Sequence, residues 1–151
     1  MKKKGMIVIL SAPSGCGKDT VFREISKIRN DVCESVSATT RLPRAGEIDG
    51  VDYFFKTTDE FEKMIAEDSF LEYASYNNCY YGTPAAPALA AVKKGKICFL
   101  FIERKGAQKI MKNYPDAVSI FLMPPDMNTL EHRLKNRNTE GGGVVQKRLK
   151  I

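Results

Sequence analysis

The sequence contains almost no histidine and no closely spaced cysteines, and both absences exclude common kinds of metal and redox site. Its one histidine is His132, which lies between Glu131 and Arg133 on a predicted helix surface. The four cysteines, at positions 16, 33, 79 and 98, form no Cys-x-x-Cys pair and fall in unrelated predicted elements. We therefore expect no zinc site, and we expect reduced thiols, as in a cytoplasmic protein.

Apolar runs long enough to span a membrane are also absent. The longest run, Ile97 to Ile102, has the length of a strand. Residues 2–4 are lysines, as at the start of a secretion signal, but the apolar segment behind them is short and leads directly into a glycine-rich loop. The sequence predicts a cytoplasmic protein without a membrane partner. Its 151 residues suffice for one domain with a hydrophobic core.

The net charge of +6 favours a partner that carries phosphate groups. The arginines are not spread along one basic face, as binding to a nucleic acid backbone would require. They form one cluster at Arg41 and Arg44 and a second at Arg133, Arg137 and Arg148. Two clusters fit two phosphate groups that are brought together, so we expect nucleotides as ligands and no nucleic acid.

What the sequence does contain is a glycine-rich loop between a buried strand and a helix. Met6 to Leu10 are all apolar, which is typical of a strand buried on both faces of a parallel sheet. Apolar residues then recur at helical spacing after position 20, at positions 21, 22, 25 and 28. Strand, small-residue loop and helix is the layout of a phosphate-binding P-loop.

The loop has the chemistry that phosphate binding needs. Gly15 and Gly17 let the backbone approach a phosphate chain, and the helix that begins near Lys18 directs unpaired N–H groups at it. Lys18 adds an ammonium and Thr20 a hydroxyl. The candidate phosphate-binding residues are Ala12, Pro13, Ser14, Gly15, Cys16, Gly17, Lys18, Asp19 and Thr20. The alternative is an ordinary glycine-rich turn with a surface lysine, which the flanking strand and helix make less favourable.

Asp19 stands where a P-loop usually has serine or threonine, and Ala12 stands where it usually has glycine. A carboxylate repels a bare polyphosphate, but it is a hard oxygen ligand suited to Mg²⁺. Asp19 is therefore a candidate metal ligand for a nucleotide that binds as its magnesium complex.

Predicted strands and helices alternate along the chain, which indicates an α/β fold with a parallel sheet. Between residues 35 and 83 the strands are short and close in sequence, which predicts a small mixed-β lobe inserted into the sheet domain. The predicted strands are 6–10, 33–37, 51–55, 70–74, 79–82, 97–102 and 117–122. One predicted helix starts near Lys18, and a second follows a capping box formed by Thr57 and Glu60. The remaining predicted helices span residues 84–94, 107–112, 130–137 and 144–151. Asn77 and Asn78 are predicted to form a turn, and Tyr80 is predicted to be a core residue of the lobe. The segment 38–47 is predicted to be a functional loop.

Six motifs resemble guanylate kinases over essentially the whole chain. They lie at residues 37–47 (Ser-Ala-Thr-Thr-Arg-x-Pro-Arg-x-Gly-Glu), 49–55, 70–72, 78–83, 115–121 and 133–137. This resemblance implies transfer of the terminal phosphoryl of Mg-ATP to GMP, giving ADP and GDP. It also implies a P-loop core of residues 1–34 and 84–151, a GMP-binding lobe of residues 35–83 and a mobile lid near residues 136–148.

The resemblance also implies roles for individual residues. The residues implied to bind GMP are Ser37, Arg41, Arg44, Tyr53, Glu72, Tyr81, Thr83 and Glu103. Those implied to be catalytic are Lys18, Arg41, Arg133, Arg137 and Arg148. The cofactor that the resemblance implies is Mg²⁺, bound with ATP.

The chemistry of guanine supports three of these roles independently. Guanine donates from N1–H and its 2-amino group and accepts at O6. Carboxylates at Glu72 and Glu103 can accept from those donors, and the hydroxyl of Ser37 can donate to O6. Adenine would present an acceptor at N1 to a carboxylate and leave buried polar groups unpaired.

Two alternatives stay open at this point. The same fold could serve as a non-enzymatic module for a nucleotide or a phosphopeptide, an idea favoured by Ala12 and by Phe101, which stands where the family usually has aspartate. A basic nucleic-acid-binding protein is the second and weaker alternative. Guanylate kinases also normally continue beyond the equivalent of residue 151, so we expect an exposed sheet edge and either a monomer or a homodimer.

Overall fold

The computed structural model describes residues 4–13 and 16–136 of the 151-residue chain. Its eight strands are β1 (Met6–Ser11), β2 (Val32–Glu34), β3 (Ala38–Thr39), β4 (Phe54–Phe55), β5 (Phe70–Tyr76), β6 (Cys79–Pro84), β7 (Ile97–Leu100) and β8 (Val118–Phe121). Its five helices are α1 (Lys18–Ile28), α2 (Thr58–Ala66), α3 (Ala85–Lys93), α4 (Arg104–Asn113) and α5 (Met127–Asn136).

Four parallel strands form the core sheet, in the order β2-β7-β1-β8. Successive side chains of β1 point to opposite faces of the sheet, so its unbroken apolar sequence fills two hydrophobic clusters. Ile7 and Ile9 belong to one cluster, and Val8 and Leu10 belong to the other. The prediction of a doubly buried strand near the start of the chain is confirmed.

Helices cover both faces of this sheet. On one face, Phe22 of α1 meets Phe99 of β7, with ring centroids 5.3 Å apart in an edge-to-face arrangement. On the other face, Ala88 of α3 and Ile110 of α4 are buried in the same cluster as Ile9. Helices on both faces leave the carboxyl edge of the strands open, and that edge is where parallel sheets bind ligands.

β8 differs from the sequence-based expectation of a third buried strand. It pairs with β1 and has no second neighbour among the described residues. Each of its four residues is exposed, with 43% of Ile120 and 52% of Phe121 accessible to solvent. An apolar run therefore indicated a strand correctly but did not show that both faces are covered.

A second, mixed sheet has the strand order β4-β3-β6-β5. α2 closes its apolar side, where Phe61 is fully buried and stacks on Phe70 at 4.4 Å and on Tyr80 at 5.2 Å. The predicted capping box at the start of α2 is present, since Thr57 accepts from the Glu60 N–H and Glu60 accepts from the Thr57 N–H. The prediction of Tyr80 as a core residue of this sheet is confirmed.

Several predicted boundaries were wrong, mostly near this second sheet. The strand predicted at 33–37 ends at Glu34, because β2 completes the core sheet beside β7. The strand predicted at 51–55 is reduced to β4, since Asp49 and Asp52 accept backbone N–H bonds and hold residues 48–52 in turns. β3 lies within the predicted loop 38–47, where it pairs with β6.

α4 begins at Arg104, three residues before the predicted helix, because its first turn carries charged residues rather than the apolar ones used to predict it.

Two further predictions lie partly or wholly outside the described residues. The lid near residues 136–148, apart from the last residue of α5, and the last predicted helix, at 144–151, lie outside the described residues.

No disulfide joins the four cysteines, all of which lie in the described part of the chain. Cys33 and Cys98 are register partners on β2 and β7. Burial, and then the neighbouring Cys33 thiol, raise the pKa of Cys98 to about 12. The Cys98 thiol is therefore protonated at neutral pH and packs as a small apolar group.

Within the described residues, none of the helices has the length and apolar content needed to cross a bilayer. In the same part of the chain, histidine, cysteine, aspartate and glutamate side chains do not gather in groups of three or more around a possible metal position.

Candidate functional site

The glycine-rich loop leaves β1 at the carboxyl edge of the core sheet and enters α1. Gly17 is the N-cap residue of α1 and has φ 86°, a left-handed conformation that glycine adopts without strain. The Lys18 ammonium donates to the Ala12 carbonyl at 3.3 Å, so it folds back across the loop. Ser14 and Gly15 lie outside the described residues.

Two acidic side chains lie near the start of α1. The first is Asp19, which is exposed in the first turn of α1 next to the exposed Thr20. Glu34, at the carboxyl end of β2, has a pKa raised above its ordinary value, first by burial and then by the negative charge of Asp19. Negative charge therefore accumulates beside the loop, where a cation that enters with a phosphate chain would relieve it.

Apolar packing supports the loop from outside. Cys16 of the loop and Leu130 of α5 are buried together, with Ala12 packed against them. Phe101 packs on Phe22, with ring centroids 5.6 Å apart, and belongs to the core cluster on the α1 face. Ala12 and Phe101 therefore act as packing residues, which accounts for their apolar character.

Of the three arginines predicted near the end of the chain, the structure describes only part of one. The backbone of Arg133 lies in α5, and its side chain is not among those described. Arg137 and Arg148 lie outside the described residues.

A cationic site lies in the segment that follows β3. Arg41 forms a two-pronged ion pair with Glu47, with N–O distances of 2.8 and 3.0 Å. Glu47 also accepts from the Arg44 backbone N–H at 2.7 Å. The Arg41 guanidinium and the Arg44 N–H lower the pKa of Glu47, which keeps the pair ionised.

Aromatic rings flank the same arginine. The Arg41 guanidinium lies 5.3 Å from the ring centroid of Tyr53 and 5.8 Å from that of Phe55. Tyr81 packs edge-on against Tyr53, with centroids 6.2 Å apart. Arg41, Tyr53 and Tyr81 are thus brought together. Arg44, whose side chain is exposed, lies beside them because its backbone N–H donates to Glu47. Two guanidinium groups and two phenol hydroxyls can bind a phosphate.

A buried carboxylate lies between the mixed sheet and α4. Glu72 is 8% exposed, and its Oε1 accepts from the Thr83 hydroxyl at 2.8 Å. Burial raises the pKa of Glu72, against the lowering effects of the Thr83 hydrogen bond and the Lys109 charge. The negative charge of Glu103 adds to the increase, so the two carboxylates lie within electrostatic range of each other.

Ser37 and Glu103 complete the set of sequence-predicted residues. The Ser37 carbonyl accepts from the Phe54 N–H at 2.8 Å, which ties the segment before β3 to β4. Glu103 is exposed as the N-cap residue of α4. Ser37 precedes β3, the strand that leads to Arg41. Glu103 caps α4, the helix that packs against Glu72.

The family model for guanylate kinase matches residues 4–151. The chain belongs to the guanylate kinase family. Curated guanylate kinases from Carboxydothermus hydrogenoformans and Bacillus subtilis are 46% and 45% identical to it, over 98% and 99% of this chain. The chain spans 72% and 74% of the lengths of those two relatives.

A solved structure supports the same assignment. The guanylate kinase from Anaplasma phagocytophilum superposes with a TM-score of 0.73 at 33% identity, over 99% of this chain and 69% of that protein. The parallel core sheet and the second mixed sheet are therefore the architecture of a guanylate kinase. The chain is accordingly an enzyme, a kinase of this family.

Sequence reasoning missed the contributions of two residues to the site. Glu47 was given no role in the site, but it is half-buried and fixes Arg41. Its position in the Arg-x-Pro-Arg-x-Gly-Glu motif was the available signal. Gly106 received no role, although it lies directly against Glu72. Its signal was a glycine in the first turn of an otherwise regular helix.

Proposed function

We propose that the chain transfers the terminal phosphoryl group of Mg-ATP to GMP, giving ADP and GDP. One arrangement supports this most strongly. A buried carboxylate with a hydroxyl partner, Glu72 with Thr83, belongs to the same sheet as the cationic site around Arg41. The carboxylate suits a guanine base, and the cationic site suits its phosphate.

Arg41, Arg44, Tyr53 and Tyr81 would bind the GMP phosphate. Glu47 keeps the Arg41 guanidinium in place before the phosphate arrives, so little side-chain entropy is lost on binding. Tyr53 is half-buried, and burial raises its pKa, so its phenol remains a hydrogen-bond donor at neutral pH.

Glu72, Glu103, Ser37 and Thr83 would line the guanine. Glu72 carries the discrimination, because its buried carboxylate accepts hydrogen bonds and cannot donate them to N1 of adenine. An AMP bound here would leave that carboxylate unpaired, which is a strong form of rejection.

The glycine-rich loop of residues 12–20 would bind the ATP phosphates. Lys18 would carry positive charge to the transferred phosphoryl group, and Arg133, Arg137 and Arg148 would approach from the lid. The attacking oxygen of GMP is already anionic, so positioning and positive charge supply most of the catalysis.

Mg²⁺ is the implied cofactor, and the side chains present fit it. Asp19 offers a carboxylate and Thr20 a hydroxyl, both of them oxygen donors that Mg²⁺ prefers. Burial, and then the negative charge of Asp19, raise the pKa of Glu34, so a second carboxyl group lies within electrostatic range of Asp19. We assign Asp19 as the candidate ligand, and a bound Mg²⁺ would neutralise charge on the phosphate chain.

The domain assignment belongs to the same proposal. Residues 1–34 and 84–151 would form the ATP-binding core with a lid near residues 136–148, and residues 35–83 would form the GMP-binding lobe. The protein would act in the cytoplasm, without a nucleic acid or membrane partner, as a monomer or homodimer.

The test is ADP production from Mg-ATP with GMP, with AMP, and without an acceptor. We expect turnover with GMP that exceeds turnover with AMP by about a hundredfold or more. Lys18→Ala should lower kcat by about a hundredfold or more, as loss of a transition-state cation does. Lys27→Ala removes the same charge from an exposed position of the same helix and should leave kcat unchanged.

Saturable GMP binding without turnover in folded protein would favour the binding module, for which the apolar packing of Phe101 is the specific observation. Asp19→Ala should raise the Mg²⁺ concentration needed for half-maximal rate. An unchanged Mg²⁺ dependence in that variant would remove Asp19 from the metal assignment.

A further inference from the structure

Gly106 is a glycine in a place where helix formation alone would favour another residue. It is buried in the first turn of α4. Its φ is not among the positive values that make glycine necessary elsewhere in the described chain, such as Gly17 or Gly95. Alanine is a better helix former than glycine in an ordinary helical conformation. The backbone conformation therefore does not explain why position 106 is a glycine. The explanation lies in the space around it.

That space is filled by the side chain of Glu72. A Cβ atom on Gly106 would lie 2.5 Å from Oε2, 3.0 Å from Cδ and 3.3 Å from Cγ of Glu72. These three atoms are the nearest neighbours of that position. The carboxylate thus lies where the side chain of any other residue at position 106 would begin.

We propose that Gly106 is a positioning residue for GMP recognition, because its missing side chain leaves the recess in α4 that holds the Glu72 carboxylate. Thr83 holds Oε1 of that carboxylate at 2.8 Å, and α4 bounds Oε2. The carboxylate is therefore held between β6 and α4. The first turn of a helix also carries unpaired N–H groups and partial positive charge, which favour a carboxylate at this position.

An alanine at position 106 would move the carboxylate and leave the helix in place. The atoms in the way belong to the end of a flexible side chain and not to the backbone. Ordinary contact needs the Glu72 head group to move by about 1 Å, since carbon and oxygen atoms pack at roughly 3.5 Å. That shift would weaken the Thr83 hydrogen bond and misplace the acceptors for guanine.

This inference rests on the proposed role of Glu72 in binding guanine. We expect Gly106→Ala to raise the KM for GMP by about tenfold or more, because hydrogen bonds to a charged acceptor are strong and sensitive to position. The GMP-over-AMP ratio of kcat/KM should fall, while the KM for ATP stays within twofold. The Tm should change little, since the helix preference of alanine offsets the weaker Thr83 hydrogen bond. Lys105→Ala, an exposed neighbour in the same turn, is the matched control and should change none of these values.

A double-mutant cycle with Glu72→Asp tests whether the effect acts through the carboxylate. Aspartate is one CH₂ shorter, so its carboxylate no longer fills the recess. Gly106→Ala should therefore change the KM for GMP by less than twofold in the Glu72→Asp background. An equally large effect in both backgrounds, or a lowered Tm that accounts for the loss, would overturn the inference.

Glu72→Gln separates failure of this inference from failure of the proposed function. If Glu72→Gln raises the KM for GMP and Gly106→Ala does not, the positioning role is wrong and the guanine role stands. If neither variant affects GMP, the guanine role of Glu72 is wrong, and the positioning role is overturned with it.

Discussion

At the scale of one residue, Glu72 is a buried carboxylate that lowers stability and is a candidate for binding a ligand. Its carboxylate is almost fully buried, and Thr83 donates to it from its hydroxyl, at 2.8 Å, and from its backbone N–H. Burial disfavours the charged form, which is why the pKa is raised. A side chain that costs stability in the empty protein is consistent with a carboxylate kept for a ligand that donates hydrogen bonds.

The raised pKa of Glu72 leads to a prediction about how stability depends on pH. The folded-state pKa of Glu72 lies above its unfolded value, so the native state holds the proton more tightly. The free energy of unfolding therefore falls as pH rises through these two values, and the cost is fully present above the folded-state pKa. Glu72→Gln removes the charge and can keep the Thr83 hydrogen bond. We expect its Tm to exceed that of the unchanged protein at pH 8, with a gap that shrinks toward pH 4.

Glu67→Gln is the control for that measurement, since Glu67 is an exposed carboxylate with only a long ion pair to Lys63. It should show little difference in Tm at either pH. A Glu72→Gln gap that is the same at pH 4 and pH 8 would contradict the burial argument, because it would not depend on ionisation.

Residues with a fixed local spacing could be predicted from the sequence, and residues that act across the fold could not. Lys18 follows its glycines directly, so the spacing alone indicated a phosphate-binding loop, and in the structure its ammonium donates to the Ala12 carbonyl of that loop. Gly106 and Glu72 are far apart in sequence, and their contact depends on how α4 lies against β5. No local sequence pattern indicates a contact between residues so far apart in the chain.

At the scale of the element, α2 holds the mixed sheet together. β3 and β4 contain only two residues each, so their ladders contribute few hydrogen bonds. Phe61 of α2 supplies the fully buried ring on which Phe70 and Tyr80 stack. The start of α2 therefore matters for the candidate GMP site, although none of its residues lies there.

Thr57→Ala tests this dependence. The Thr57 hydroxyl accepts from the Glu60 N–H, and alanine would leave that N–H without its capping partner. We expect the free energy of unfolding to fall by about 1 kcal/mol, as for other threonine caps. Urea unfolding would measure it, with an unchanged m value showing that the folded state keeps its compactness.

Thr58→Ala is the matched control, because Thr58 is an exposed threonine one residue inside the same helix. It should be neutral or slightly stabilising, since alanine favours the helix. Equal losses in both variants would mean that the capping box does not stabilise α2.

Elements with strong local signals were predicted well, and elements defined by their partners were not. The capping box and the turn at Asn77 and Asn78 were predicted correctly, and both asparagines have positive φ as such a turn requires. β3 exists because β6 and β4 flank it, and its two residues carry no periodic pattern. Its segment was therefore predicted to be a loop.

The whole molecule places the glycine-rich loop at the carboxyl edge of the core sheet, and it places Glu72 and Arg41 at the second, mixed sheet. α4 links them, since it follows β7 of the core sheet and contacts Glu72 of β5. The alternation of strands and helices predicted the core sheet, and the short, closely spaced strands between residues 35 and 83 predicted the mixed sheet. The sequence pattern did not predict which strands end the sheet that the structure describes, because apolar content alone does not distinguish β1, inside that sheet, from β8, at its end.

β8, which has no second neighbour among the described residues, yields a prediction about the behaviour of this chain in solution. An exposed apolar edge is a template for unwanted pairing between chains, and a charged side chain on the edge opposes it. Ile120→Lys should raise the temperature at which light scattering begins and reduce its dependence on protein concentration. Ile120 is 43% exposed, so the Tm should change little. Gln108→Lys, at an exposed position of α4, adds the same charge away from the edge. Equal protection by both variants would attribute the effect to net charge and remove β8 from the explanation.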